Sequence, residues 1–139
     1  MSAETDDSNA LSPTLLRVIG VGDVVMFAII GLLLFDDVIF GAIAGTLTGV
    51  GTVWFLSWSL GGSDDANRRG EPAGLTAQIH RGAAGAALMG SGIIAIALMF
   101  VREEPLFALG LGLGVAIVEY PILSRVLPKD VDEEDVTVG

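Results

Sequence analysis

Residues 15–60 read LLRVIGVGDVVMFAIIGLLLFDDVIFGAIAGTLTGVGTVWFLSWSL, two apolar blocks separated only by Asp36 and Asp37. The blocks cover 15–35 and 38–60, and each is close to the ~20 residues that an α-helix needs to cross ~30 Å of hydrocarbon. Inside a bilayer every backbone N–H and C=O must find a partner within the protein, so each block should be helical. The stretch therefore predicts a tight transmembrane hairpin.

A second pair of apolar blocks follows, joined only by Arg102, Glu103 and Glu104. Pro105 suits the first turn of the last helix, where its missing N–H is not needed. The predicted fold class is all-α, an integral membrane four-helix bundle made of two transmembrane hairpins. The predicted segments are an acidic N-terminal segment at 1–14, a transmembrane domain at 15–127 with helices at about 15–35, 38–60, 79–101 and 105–127, and an acidic tail at 128–139.

The composition agrees with a membrane protein. Hydrophobic residues make up 52% of the 139 residues, and the mean hydropathy is +0.69. Of the 17 acidic residues, only Asp23 and Glu119 fall inside the apolar blocks. The chain has no cysteine, which excludes disulfides and thiol catalysis.

The charged residues outside the blocks are mainly acidic. The net charge is −10, and Lys129 is the single lysine. Excess surface carboxylate is typical of proteins from halophilic archaea, where ~1 M salt shortens the Debye length to about 3 Å and screens the repulsion between acids. Nucleic-acid binding needs a basic face, and the sequence offers none.

The basic residues predict the orientation of the helices. With four spans, both termini and the 61–78 loop lie on one side of the membrane. That side holds six basic residues, Arg17, Arg68, Arg69, Arg81, Arg125 and Lys129, and the other side holds only Arg102. Lysine and arginine are enriched in cytoplasmic loops. We therefore expect a multi-pass protein of the cell membrane with cytoplasmic N- and C-termini.

Small residues recur at spacings that suit close helix packing. They include Gly41, Gly45 and Gly49 in the second block, Gly82 and Gly90 in the third, and Gly112 in the fourth. Small side chains on one helix face let two backbones approach closely in a membrane. The contact could be within the bundle, with a second copy, or with another membrane subunit, and spacing alone leaves these alternatives open.

The two acids in the apolar blocks fall at similar depth. Asp23 lies about 3 Å and Glu119 about 4.5 Å from the centre of its block, both on the side of the termini. Thr52 lies at the same depth, and Ser91 is near the midplane. Acids within membrane spans are unfavourable and usually face the protein interior. We therefore predict an intramembrane polar layer of Asp23, Thr52, Ser91 and Glu119.

Two functions are compatible with such a layer. Close carboxylates in a low dielectric do not both ionise readily, so the layer should hold at least one proton. It could be a structural hydrogen-bonding group, in which case the protein is a non-catalytic membrane subunit or scaffold that packs through glycine-rich helix faces. Alternatively, the chain is a minimal proton- or cation-coupled transporter or channel that uses Asp23 and Glu119. The scaffold is the favoured prediction.

Enzymatic chemistry is not expected. The sequence shows no catalytic triad, no metal-ligand spacing and no dinucleotide fingerprint, and His80 is the single histidine. One histidine without neighbouring ligands makes a poor metal site. We predict no catalytic residues, no metal and no cofactor. The expected partners are the lipid bilayer and either a second copy or another membrane subunit.

Overall fold

The computed structural model describes residues 12–61 and 73–127, and these residues form four α-helices. The helices are α1 (Pro13–Phe35), α2 (Val38–Gly61), α3 (Ala73–Val101) and α4 (Pro105–Val126). Each contains a segment long and apolar enough to cross a membrane. The prediction of an all-α bundle of four apolar helices is confirmed. Arg68, Arg69, Lys129, most of the N-terminal segment and the tail at 128–139 lie outside the described residues.

The turn between α1 and α2 depends on two aspartates. Asp36 ends α1 in the left-handed region, at φ 54°, and its N–H donates to the carbonyl of Leu32 at 3.2 Å. Aspartate tolerates this conformation better than most residues. Asp37 then begins α2, because its Oδ1 accepts a hydrogen bond from the N–H of Phe40 at 2.8 Å. A side-chain oxygen in this position satisfies a free donor of the first helical turn.

The turn between α3 and α4 is stabilised at the surface. Arg102 and Glu104 form an ion pair at 3.2 Å, and both side chains are more than half exposed. The guanidinium of Arg102 also lies 4.8 Å from the ring centre of Phe107. Pro105 occupies the first turn of α4, as its sequence position predicts. Exposed pairs of this kind contribute little to stability, so the short connection itself defines the hairpin.

The helices pack mainly on their neighbours in the chain. Extensive contacts join α1 to α2, α2 to α3, and α3 to α4. Near the two turns, a buried cluster of Phe40, Ala95, Met99 and Ala108 joins the last three helices, and Phe35 at the end of α1 packs against it. The bundle therefore closes at the end where the hairpins turn.

The outer faces of the bundle are apolar. The helices at the two edges, α1 and α4, are less buried than α2 and α3. Leu33 on α1 is 75% exposed, and Leu106 and Ile117 on α4 are 87% and 74% exposed. A soluble protein rarely exposes apolar patches of this extent, so these faces suit a lipid environment.

Candidate functional site

The interface of α1 with α2 is a contact between backbones. A β-carbon added at Gly45 would lie 2.7 Å from Cβ of Phe27 and 2.8 Å from Cα of Val24. Added at Gly41, it would come within 2.9 Å of Cα of Gly31. These distances are shorter than carbon–carbon contacts normally are, so only glycine fits. The predicted stripe of Gly41, Gly45 and Gly49 thus faces α1.

The interface of α2 with α3 uses glycines that the sequence analysis did not single out. A β-carbon at Gly51 would lie 2.6 Å from the carbonyl oxygen of Gly85, and one at Gly85 would lie 2.5 Å from the backbone nitrogen of Phe55. Gly92 is likewise covered by the backbone of Ala44. The available signal was the seven-residue spacing of Gly85 and Gly92, which places both on one helix face.

The predicted glycines of α3 contact two different helices. Gly82 lies beneath Trp58 of α2, where an added β-carbon would be 2.5 Å from Cδ2 of the indole. Gly90 points towards α4, where its β-carbon would be 3.3 Å from Oε2 of Glu119. A β-carbon added at Gly112 on α4 would lie 2.6 Å from the carbonyl oxygen of Ser91. The small residues of α3 therefore divide between its two neighbours.

Asp23 sits at the interface of α1 with α2. A β-carbon at Gly49 would lie 3.4 Å from Cβ of Asp23, and one at Gly45 would lie 2.9 Å from its carbonyl oxygen. The residue as a whole is half-buried. Its Oδ2 atom, however, is buried and has no hydrogen-bond partner among the described residues. Such an unsatisfied polar atom is unfavourable by about 1–3 kcal/mol.

Glu119 sits at the other edge of the bundle. It is half-buried, and its Oε2 atom lies 3.3 Å from the position that a β-carbon at Gly90 on α3 would occupy. Asp23 contacts α2, whereas Glu119 contacts α3, so each acid belongs to a different helix pair. Because extensive contacts occur only between chain neighbours, the similar depth of the two acids does not place them in one helix interface.

Two buried hydroxyl groups near the predicted layer form hydrogen bonds within their own helices. Ser91 is fully buried, and its Oγ donates to the carbonyl of Leu88 at 2.7 Å. Thr48, which the sequence analysis passed over, is 5% exposed and donates to the carbonyl of Ala44 at 3.0 Å. Thr52 is half-buried on α2. Back-bonding of this type satisfies a hydroxyl without a partner helix.

A polar contact also joins α3 to α4. The hydroxyl of Tyr120 and Nδ1 of His80 are 3.0 Å apart, and both residues are exposed. This pair was not predicted, because nothing in the spacing of residues 80 and 120 connects them. Within the described ranges, no group of three or more histidine or acidic side chains is arranged to hold a metal ion.

The described residues form surface grooves beside the helix interfaces. Two flank α1 and are almost wholly apolar, and a third, more polar one of about 470 Å³ lies between the turns beside Asp36, Asp37 and Glu103. Asp23 and Glu119 line none of these three grooves. Comparison of the chain with protein-family models, with curated proteins and with solved structures finds no match.

Proposed function

We propose that the four helices cross the cell membrane with both termini in the cytoplasm. The support is the combination of span-length apolar helices, exposed apolar outer faces and the basic residues at one end. Arg17 and Arg125 lie at the end of the bundle that carries the termini, and Arg102 lies at the end that carries the turns. This arrangement matches the known enrichment of basic residues on the cytoplasmic side.

Reporter fusions test this topology. A reporter placed after Gly62 or at the C-terminus should read cytoplasmic, because the basic residues of those segments stay on the inner side. A reporter inserted at Asp37 should read external. The measurement is paired enzyme fusions, one active only inside and one only outside the cell. A C-terminal reporter that reads external would contradict the four-span arrangement.

We further propose that the protein is a non-catalytic membrane subunit or scaffold. One observation carries this proposal. Most of the glycines near helix centres pack against a neighbouring helix of the same chain. Gly110 and Gly114 on α4 face outwards, and a β-carbon at either would meet none of the described residues within 4 Å. Their spacing of four is the small-residue motif through which membrane helices associate. This face of α4 suits a second copy or another subunit.

Purification from native membranes tests the scaffold proposal. The tagged protein, extracted in a mild detergent, should retain a second chain in a defined ratio. Gly114→Leu should release that chain, because the larger side chain prevents close approach of the helices. The variant should melt like the wild type, since no described residue lies within 4 Å of a β-carbon at Gly114. An associated chain that stays bound to Gly114→Leu would contradict the use of this face.

A second candidate function has one specific observation in its favour. Oδ2 of Asp23 is buried and finds no hydrogen-bond partner within residues 12–61 and 73–127, which is unfavourable for folding. Ionisable groups within membrane spans often serve proton or ion pathways. We therefore keep a minimal proton- or cation-coupled transporter that uses Asp23 and Glu119 as the alternative. The separate positions of the two acids favour the scaffold, because a path between them would have to cross both α2 and α3.

A further inference from the structure

Two apolar grooves lie side by side on α1. The outer groove, of about 690 Å³, follows the face of α1 that is away from the bundle, and Val18, Gly22 and Ile29 are among its lining residues. The inter-helix groove, of about 300 Å³, lies between α1 and α2, where Gly20 and Gly49 are among its lining residues. Both grooves are almost wholly apolar.

The two grooves share two residues, Arg17 and Val21. Val21 lies between the grooves, and Arg17 lines both near the N-terminal end of α1, where Thr14 continues the outer groove by one turn. Each groove has a glycine of α1 in its lining. Gly22 lines the outer groove, and no described residue lies within 4 Å of its β-carbon position. Gly20 lines the inter-helix groove and lies against Val53 of α2. The surface is therefore forked, with two apolar grooves that diverge from Arg17 on either side of Val21.

The lengths of the two grooves are of the same order as the thickness of one bilayer leaflet. The outer groove extends from Thr14 to Ile29, fifteen residues or about 22 Å along the helix axis, and about 18 Å of this length lies between Arg17 and Ile29. Half of a hydrocarbon layer is about 15 Å thick. The inter-helix groove extends from Arg17 to Val24, about 10 Å. Trp54, which is 38% exposed, also lines this groove, and indole side chains favour the membrane–water interface.

We propose that this forked surface binds one two-chain phospholipid, with its phosphate on Arg17 and one acyl chain on each side of Val21. The proposal rests on the proposed membrane insertion. A guanidinium binds a phosphate in bidentate fashion, and Arg17 is exposed and lines both grooves. The two acyl chains of a phospholipid diverge from one phosphate, as the two grooves diverge from one arginine. A single helix would fill one groove and leave the other open.

Lipid titration followed by native mass spectrometry tests this site. The probe is phosphatidylglycerol, added to the full-length protein in detergent. Arg17→Gln should weaken binding roughly tenfold, as expected for loss of hydrogen bonds to a charged group. Gly22→Leu should weaken it to a similar degree, because the side chain fills the outer groove without a clash in the folded chain.

Two matched variants control for general effects. Arg125→Gln removes an exposed cation in the last turn of α4, at the same end of the bundle. Ala97→Leu enlarges an exposed small residue on α3, away from both grooves. Both should bind phosphatidylglycerol like the wild type. A single-chain lysophospholipid should bind more weakly than the two-chain lipid, and inorganic phosphate should not compete.

Several results would overturn the site. If Arg17→Gln and Arg125→Gln bound phosphatidylglycerol equally well, Arg17 would make no special contact with the lipid. If the lysophospholipid bound as tightly as the two-chain lipid, the second groove would hold no acyl chain. Competition by inorganic phosphate would reduce the site to a simple anion contact. If the topology fusions also failed, the proposed membrane insertion would be at fault. If they succeeded, only the lipid site would be.

Discussion

Replacing Gly45 by leucine should prevent the bundle from forming. A β-carbon at this position already lies 2.7 Å from Cβ of Phe27, 2.8 Å from Cα of Val24 and 2.9 Å from the carbonyl oxygen of Asp23. Two of these three atoms belong to the backbone of α1, so no side-chain rotation relieves the contact. The helices must separate, and α1 then loses most of its packing because its main partner is α2.

A graded series makes the expected effect measurable. Gly45→Ala should lower the free energy of unfolding by about 1–3 kcal/mol, the usual range for overpacking in a tight core. Gly45→Leu should exceed that range and yield an aggregated or open chain. Thermal unfolding in detergent, followed by circular dichroism and size-exclusion chromatography, reports both effects. Ala97→Leu, at an exposed position of α3, should match the wild type. A Gly45→Leu protein with wild-type melting would show that this face meets only lipid.

Replacing Asp23 by valine should make the protein more stable. Oδ2 of Asp23 is buried and has no hydrogen-bond partner in the part of the chain that the structure describes. Removing an unsatisfied buried acceptor should raise the free energy of unfolding by about 1–3 kcal/mol. Asp23→Asn should stay close to the wild type, because an amide keeps a polar atom at the same place. Glu103→Val, which removes an exposed acid in the α3–α4 turn, is the control and should show no gain of this size.

The same variants separate the two candidate functions. If the protein is a scaffold, Asp23→Asn should fold and retain the associated chain. If it is a transporter, Asp23→Asn should fold but abolish proton or cation flux in reconstituted vesicles, measured with an internal indicator dye under an imposed gradient. A loss of stability in Asp23→Val would contradict the interpretation that Oδ2 of Asp23 is unsatisfied, because it would mean that the carboxyl group makes a favourable contact.

The four helices were predictable because the length of an apolar block and the need to pair its backbone groups are enough to determine each helix. A block of about 20 apolar residues admits one solution in a bilayer, and the short acidic connections set where each hairpin turns. The start of α3 was less predictable. The helix begins at Ala73, six residues before the predicted residue 79. The prediction missed these first residues because they include polar ones such as Gln78, which lower the hydropathy of the segment. Hydropathy marks where the apolar segment ends, but a helix can continue beyond it.

The lateral arrangement was only partly predictable. Residues spaced by four rotate by about 40° at each step, or about 80° over eight residues. Whether such a stripe stays against one neighbour depends on the crossing angle of that helix pair, which a single sequence does not carry. Gly41 to Gly49 stay on α1, whereas Gly82 and Gly90 divide between α2 and α4. For the same reason, the depths of Asp23 and Glu119 did not predict which helix each would contact.

The scaffold proposal is tested most directly by photocross-linking in intact membranes. A photoreactive amino acid replaces Ile117, which lies one turn after Gly114 on the outward face of α4 and is 74% exposed. Leu33, which is 75% exposed on α1, serves as the matched position. We expect a discrete cross-linked protein from position 117, whose mass distinguishes a second copy from another subunit. The adduct should disappear in the Gly114→Leu background, and position 33 should give lipid adducts alone. Lipid adducts alone at both positions would contradict the proposed role of α4 as a docking face.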